Sequence, residues 1–315
     1  MFELFKKRDF NALFSDTIDF FKRFGKNYYK NYFIINGIFL MILVVLIYFI
    51  SKIFLENAFS TVQDSNNDFI ANYVHTNPLM FFGFFAIFIL VSIFLSLLNI
   101  TYPIVYLNLI DKNQTEEISS GKVIIEIRKN IGRLILFFIG TIFIILPIGI
   151  LVFAVLILLC FIIIGFPLLF ILFPFFSSWF SQSYFIFTIE KLSFINSFKK
   201  GYNLVRPKFW MVVGNTLFIQ FIIQMIQSTI SIVFYIIAFF GFLFFRQDIQ
   251  NETFKNSNFS LAAVCVTLVF VILVIFSYVL NNITIINQGI LYYSLREETE
   301  NKSLKNEIDS IGNEL

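Results

Sequence analysis

The sequence is poor in the residues that build metal and redox sites. Its 315 residues include one histidine, His75, and two cysteines, Cys160 and Cys265, each inside an apolar run. Membrane oxygenases, desaturases and intramembrane metalloproteases hold their metal with several His or carboxylate ligands, so one histidine argues strongly against such enzymes. The thiols are expected to be free and to act as small apolar side chains. We therefore expect no metal and no cofactor.

Charge is also scarce. Only 14% of the residues are charged and 58% are hydrophobic, with a mean hydropathy of +0.83. Soluble domains carry about 25% charged residues, so the deficit predicts a membrane protein. The motifs G-x-S-x-G, H-E-x-x-H and Walker A are absent from the sequence, and no span holds paired carboxylates. We therefore expect no enzymatic activity.

The long uncharged runs predict an all-α protein with six transmembrane helices. A bilayer core of ~30 Å takes about 20 helical residues, so the uncharged run 134–189 is too long for one crossing and must turn, best at Gly165-Phe166-Pro167. The uncharged run 209–245 is interpreted as one long tilted helix, with 236–245 as an interfacial end and a re-entrant hairpin as the alternative. The six predicted spans are 32–51, 80–106, 134–162, 167–187, 209–245 and 261–286, the last continuing helically to 295.

The positive charges alternate with these spans. Twenty of the 23 Lys and Arg residues precede the first span, lie in the second or fourth loop, or follow the last span. Lys and Arg mark the cytoplasmic side in short loops. The pattern predicts a multi-pass protein of the inner (cytoplasmic) membrane with both termini in the cytoplasm. Residues 296–315 are predicted to form a charged cytoplasmic tail.

The first 31 residues combine basic and apolar residues at helical spacing. Phe10, Leu13, Phe14 and Phe21 recur among lysines and arginines. This pattern is typical of a basic amphipathic helix that lies along an anionic membrane surface. The alternative is a helix that packs on the inner end of the bundle.

Glycines follow the basic entries to three spans by about one helical turn. Gly37, Gly140 and Gly214 occupy these positions, and small residues allow helices to approach closely. Three repeated helical hairpins would explain the pattern, and chance is the competing explanation.

Polar residues inside the spans mark a tentative ligand-binding groove, because they are costly in lipid unless they find partners. Gln220, Gln224 and Gln227 recur at spacings of four and three along one face of span five, and span six carries Asn281 and Gln288. The groove would take a small solute or a lipid headgroup. The alternative is hydrogen bonding between helices that only holds the bundle together.

The segment 188–210, which we call the elbow, is a short basic stretch between two long uncharged runs. It contains five Lys or Arg residues and ends in Phe209 and Trp210, which we expect to anchor the next span in the interface. Acidic Glu190 stands at the membrane edge, where it can face Lys191, Lys199, Lys200 or a helix N-terminus.

The spacing of Glu190, Ser197, Gly201, Leu204 and Trp210 resembles the elbow of the membrane domain of glycerophosphoryl diester phosphodiesterases and of related six-helix bacterial membrane proteins. The closing run 291–296, LYYSLR, is similar to the last-helix ending of the same families. Ser197 and Gly201 stand where that pattern has Ala and Ser, so no role of the family's Ser is carried over. In those proteins the phosphodiesterase chemistry lies in a separate soluble domain, and only 20 residues follow Leu295 here, so the resemblance implies no hydrolase activity.

Two functions are compatible with these patterns. The first is a non-enzymatic membrane module that engages membrane lipids, or a protein partner at the cytoplasmic face, in envelope or lipid homeostasis. The second is a facilitator or exporter of a small or amphiphilic solute through the polar stripes. No span contains a central charged residue, which counts against ion-coupled transport. We expect no nucleic-acid partner, and the oligomeric state stays open.

Overall fold

The computed structural model describes residues 2–63, 74–113, 117–249 and 258–301, and all of its regular elements there are helical. Three short helical segments lie between or beside the long ones: the π-helical turn Thr141–Ile145, the amphipathic helix Phe194–Val205 and the 3-10 turn Arg206–Lys208. The α-helices are α1 Phe10–Gln63, α2 Pro78–Asn113, α3 Ser120–Gly140, α4 Leu146–Cys160, α5 Gly165–Ile189, α6 Phe194–Val205, α7 Phe209–Ile249 and α8 Asn258–Glu300.

Six helical stretches within the described ranges are long and apolar enough to cross a membrane. The predicted all-α, six-helix class is thereby confirmed. Helix α3, the π-helical turn and α4 together form one of the six, because the backbone stays helical from Ser120 to Cys160. The other five are α1, α2, α5, α7 with the elbow helix before it, and α8.

Helix α1 continues without a break through the boundary at 31/32 that separates the predicted surface helix from the first span. Leu13, Phe20, Phe24 and Tyr28 are buried. These rings of the first 31 residues therefore pack on other rings of the same chain, including Tyr106 of α2.

The turn between α4 and α5 lies within two residues of its predicted place. Helix α4 ends at Cys160 and α5 begins at Gly165, whereas the predicted spans end at 162 and begin at 167. Ile163 adopts a left-handed φ of 67° that stops the helix. A Cβ on Gly165 would lie 2.3 Å from the Cys160 backbone nitrogen, so the two helix ends can meet only at a glycine.

The remaining predicted spans are all contained in longer helices. The run 209–245 lies in one helix that extends to Ile249, so it forms no hairpin. Helix α2 continues through Pro103 and beyond 106, and α8 continues from 261–286 through 295 to Glu300. The rest of the predicted tail, from residue 302, and the side chain of Cys265 lie outside the described residues.

The chain divides into two compact units. Unit 1 comprises Met1–Ile35, Asn99–Ile223 and Asn281–Leu315, and unit 2 comprises Asn36–Leu98 and Gln224–Leu280. The largest fully buried side chains of unit 1 are aromatic, namely Tyr28, Tyr32, Tyr102, Tyr106, Tyr292, Tyr293, Phe20, Phe185 and Phe187. In unit 2 the buried side chains are mostly aliphatic, as at Leu43, Ile47, Leu95 and Val271.

The three entry glycines differ from one another in surroundings. A Cβ on Gly140 would lie 2.7 Å from the Phe194 ring, and one on Gly214 would make ordinary contact with Phe10 at 3.7 Å. A Cβ on Gly37 would meet no atom within 4 Å. The expected close approach therefore occurs at Gly140 alone, where the ring of the elbow helix covers the glycine.

Candidate functional site

The elbow helix α6 is docked against the end of α5 through its small residues. Ser197, Gly201 and Leu204 are all buried. A Cβ on Gly201 would lie 2.5 Å from the Ser183 hydroxyl oxygen and 3.2 Å from the Ser183 nitrogen. The position needs a glycine because α6 approaches α5 at backbone distance there. Ser197 donates its hydroxyl to the Ser193 carbonyl at 2.9 Å and so satisfies itself within its own helix.

An aromatic nucleus holds this docking in place. The ring of Phe137, at the end of α3, is 3% exposed and lies 4.5–5.7 Å from the rings of five other residues. Two of them, Phe194 and Phe198, belong to α6, and the others to α5; the five are Phe180, Tyr184, Phe187, Phe194 and Phe198. One ring thus joins α3, α5 and α6.

A charged network ties the elbow to the end of α8. The Lys200 ammonium lies 2.6 Å from Glu190 and 2.7 Å from Glu300. Arg296, which is 5% exposed, pairs with Glu300 at 2.6 Å, and Tyr292 donates its hydroxyl to Glu190 at 3.0 Å. The two carboxylates and two cations balance, so the network is satisfied by its own members.

The charge of Lys200 is held firmly by this arrangement. The carboxylates of Glu190 and Glu300 both lie within hydrogen-bonding distance of its ammonium and compensate its charge. Of the partners that the sequence left open for Glu190, the structure gives Lys200. Lys199, one residue earlier, is exposed.

The outer side of the elbow carries alternating apolar and basic residues. Ile195, Lys199, Tyr202 and Arg206 follow one another at spacings of four, three and four, and all four are exposed. Ile195 is 59% and Tyr202 40% exposed, and Trp210 at the start of α7 is 72% exposed. We call these five residues the elbow stripe. A soluble helix seldom exposes so many large apolar side chains between its charges, whereas interfacial helices do.

Helix α3 shows the same division into two sides. Val123, Ile127 and Leu134 are buried, while Arg128 and Ile135 are exposed. Arg133 lies between the two sides and donates from one guanidinium nitrogen to the Phe187 and Leu192 carbonyls at 2.9 and 2.7 Å. It thereby fixes the end of α5, from which the elbow begins.

The residues of the predicted groove do not share one environment. Gln220 donates to the Ser177 hydroxyl at 3.0 Å in unit 1. Gln224 is exposed and bonds to Ser228 on its own helix at 3.4 Å, and Gln227 donates to Ser277 at 3.3 Å in unit 2. Asn281 is exposed. Among the described residues, the three glutamines therefore bond to three different serines and do not converge on one partner.

Gln288 is the exception, because it is 1% exposed and central to a buried cluster in unit 1. Its side-chain oxygen accepts from the Ser178 hydroxyl at 2.9 Å and from the Gln182 amide at 3.3 Å. Its amide donates to the Thr216 hydroxyl at 3.0 Å. Gln288 therefore joins α5, α7 and α8, which is the interhelical role that the sequence left open as the alternative.

A tyrosine–asparagine network that the sequence analysis did not identify lies in the core of unit 1. Tyr28 donates its hydroxyl to Asn282 at 2.6 Å, and the Asn282 amide donates to Asn99 at 3.0 Å. Asn99 also accepts the Tyr32 hydroxyl at 2.9 Å, and Tyr102 donates to the Tyr28 carbonyl at 2.5 Å. The segment 27–32, NYYKNY, shows the spacing of these tyrosines in the sequence. Their hydrogen-bond partners lie far away in the chain and could not be predicted from that spacing.

In the part of the chain that the structure describes, no three His, Cys, Asp or Glu residues come close enough together to hold a metal ion. Comparison with known proteins found no matching family model, no matching curated protein and no matching solved structure. The fold and the apolar helices therefore define the chain by class alone, as a multi-pass helical membrane protein.

Proposed function

We propose that this protein is a non-enzymatic module of the inner (cytoplasmic) membrane that engages anionic membrane lipids through its elbow stripe and so acts in envelope or lipid homeostasis. The proposal places the elbow and both termini on the cytoplasmic side. The observation that carries it is the division of α6 into a docked side and a basic, apolar outer side.

The chemistry of the stripe fits a headgroup layer. Lys199 and Arg206 are seven residues apart, about 10 Å along the helix, so each can reach a different lipid phosphate. Juxtamembrane Lys and Arg contribute about 1 kcal/mol each toward an anionic surface. Tyr202 and Trp210 are the aromatic types enriched at membrane interfaces, and their exposure leaves the rings free to enter that layer.

The buried side of α6 supports the proposal in a second way. The ring contacts of Phe137 and the ion pairs of Lys200 with Glu190 and Glu300 hold the buried side of α6 in place. The stripe is therefore presented at a set orientation, and binding lipid does not need to order it first. Glu190, Ser197, Gly201, Leu204 and Trp210 resemble the elbow of the phosphodiesterase membrane domains in their spacing, and we include membership of that group in the proposal.

The facilitator alternative has less to support it. A solute path through the bundle requires polar side chains that face a common space. Gln220, Gln227 and Gln288 instead donate to serine or threonine hydroxyls of other helices, and Gln224 is exposed.

The test is lipid retention by the full chain in nanodiscs with equal phosphatidylglycerol and phosphatidylcholine. The double variant Lys199→Glu/Arg206→Glu should lower the phosphatidylglycerol enrichment by about 30-fold, since two cations contribute about 2 kcal/mol before repulsion is added. Lys199→Arg/Arg206→Lys should keep the enrichment.

The matched control is Lys7→Glu/Lys122→Glu. Both residues are exposed, and Lys122 stands about 18 Å along α3 before the predicted span that begins at residue 134. This control should retain the enrichment of the wild type. Equal losses in both doubles, or no loss in either, would refute the elbow stripe as the lipid-binding surface.

A further inference from the structure

A pocket of about 510 Å³ lies between the N-terminal segment and the first turns of α1, in unit 1. Pockets of 300–1,000 Å³ are the size that takes small ligands. Its walls come from residues 2–6 on one side and residues 16–23 of α1 on the other. All of these precede the first predicted span, and the pocket is open at the protein surface because Lys6, Lys22 and Arg23 are exposed.

One wall of the pocket is held rigidly by Arg8, which is 3% exposed. Its guanidinium donates to the carbonyls of Leu4 at 2.7 Å and Lys6 at 3.1 Å, and to the carbonyl of Glu3. The same side chain pairs with Asp16 at 2.7 Å. The loop that carries Glu3 and Lys6 is thereby tied to α1.

An aromatic contact supports the beginning of the same loop. The Phe2 ring meets the rings of Phe20 and Phe24 edge-on, at 5.9 and 5.8 Å between centroids. Phe20 and Phe24 are themselves buried. The pocket is therefore built from fixed backbone on both sides, although its charged side chains reach the surface.

The charges that line the pocket are not all used by the protein. The Arg8 pair neutralises Asp16, and Asp19 pairs with Lys22 at 3.2 Å. Among the described residues, the side chains of Lys6, Arg23 and Glu3 form no salt bridge. Two cations and one carboxylate are thus left to face the same pocket.

We propose that this pocket binds a small zwitterion that carries a phosphate and a primary amine, the chemistry of phosphoethanolamine. The phosphate accepts from the Arg23 guanidinium and the Lys6 ammonium, because both groups favour phosphate oxygens. The amine donates to the Glu3 carboxylate. Nothing in this proposal requires the elbow to bind lipid, so the two proposals can fail separately.

The test is calorimetric titration of the purified full chain with free phosphoethanolamine, inorganic phosphate and ethanolamine. Phosphoethanolamine should bind about tenfold more tightly than either part alone, as expected for one added charge-assisted hydrogen bond. Lys6→Gln and Arg23→Gln should each weaken phosphoethanolamine binding about tenfold. Glu3→Gln should remove the preference over inorganic phosphate while leaving phosphate binding unchanged.

Lys7→Gln is the matched control, because Lys7 is exposed but does not line the pocket. It should bind phosphoethanolamine as the wild type does. The absence of saturable binding, or equal affinity for ethanolamine alone, would overturn the proposal, and so would binding that Lys6→Gln, Arg23→Gln and Glu3→Gln all leave unchanged. Thermal unfolding of each variant shows whether a loss of binding comes from loss of fold.

A lipid headgroup could supply the same chemistry as the free compound. Nanodiscs with phosphatidylethanolamine distinguish the two sources, since retention of that lipid should depend on Glu3 only if a headgroup enters the pocket. Dependence on Glu3 in the nanodisc identifies the lipid as the source. Dependence in the titration alone identifies a soluble ligand.

Discussion

The two units of the chain are stabilised by different kinds of contact. Unit 1 buries tyrosines and phenylalanines together with asparagines, glutamine, serines and threonines, nearly all of which hydrogen-bond to another helix or to their own. In unit 2, Asn36 and Thr267 are the buried polar residues among those described, and its buried apolar side chains are mostly Leu, Ile and Val. Hydrogen bonds have direction and dispersion contacts do not, so unit 1 has the more sharply specified packing.

This contrast has a physical reason. Lipid tails are as apolar as leucine, so aliphatic contacts between helices gain little over contacts with lipid. Rings and hydrogen bonds are what make one arrangement of helices better than its neighbours. The proposed sites both lie in unit 1, where a fixed backbone can present side chains at set positions.

The largest expected effect is at the aromatic nucleus of unit 1. Phe137→Ala should lower the free energy of unfolding by about 3–5 kcal/mol, because a fully packed ring is replaced by a cavity among five others. Unfolding by sodium dodecyl sulfate in mixed micelles measures it. Phe82→Ala in unit 2 is the control, since that ring is 62% exposed, and it should change the free energy by less than about 1 kcal/mol. Similar losses in the two variants would remove the contrast.

The next largest effect is expected in the tyrosine–asparagine network. Asn99→Leu removes the oxygen that accepts from both Tyr32 and Asn282. Two buried donors are then left without that partner, and the loss should be about 2 kcal/mol. Unfolding by sodium dodecyl sulfate in mixed micelles measures this loss of free energy. A double variant with Tyr32→Phe should lose less than the sum of the two single variants, and strict additivity would show that the two residues are not coupled.

Close approach of α6 and α5 predicts a smaller effect. Gly201→Ala places a methyl group against Ser183, which costs about 1–3 kcal/mol by overpacking, and the better helix propensity of alanine returns up to about 1 kcal/mol. The net loss should be about 1 kcal/mol. Gly83→Ala, whose Cβ would meet no atom within 4 Å, should be neutral or slightly stabilising. A stabilised Gly201→Ala would show that α6 does not dock as described.

The smallest effect is expected at the predicted groove. Gln224→Leu exchanges an exposed amide for an apolar side chain, and the hydrogen bond it loses is long, at 3.4 Å, and within its own helix. The free energy of unfolding should change by less than about 0.5 kcal/mol. Gln288→Leu in unit 1, by contrast, should lose about 2 kcal/mol, because the Ser178 and Thr216 hydroxyls lose their partner and Gln182 keeps only its bond to the residue 288 carbonyl. A larger loss of stability for Gln224→Leu than for Gln288→Leu would favour the predicted ligand-binding groove again.

The fold was largely predictable because span length is a local property of the sequence. The run 134–189 had to turn, and Gly165 with Pro167 marked the place to within two residues. The site was less predictable. Helical spacing puts Gln220 and Gln224 on related faces but does not say what covers those faces. Tyr28 and Asn282 are 254 residues apart in the chain, and no local pattern pairs them.

The same limit applies to the elbow. Its amphipathic pattern and a set of possible partners for Glu190 could be read from the sequence. The positions of Glu300 and Arg296 decide that Lys200 is the paired lysine, while Lys199 stays exposed. Those residues come from the far end of the chain, beyond the reach of spacing arguments.

The most direct measurement of the central claim is the membrane depth of the elbow stripe. Both cysteines are replaced, and single spin labels are placed at Ile195, Lys199, Tyr202 and Arg206. A label at Asn203, which is exposed on the same helix, serves for comparison. Power saturation in vesicles that contain phosphatidylglycerol measures the depth of each label. The account predicts headgroup-level depth at all four positions. The account would be contradicted if the labels at these four positions were as accessible to water-soluble relaxants as labels on a soluble protein.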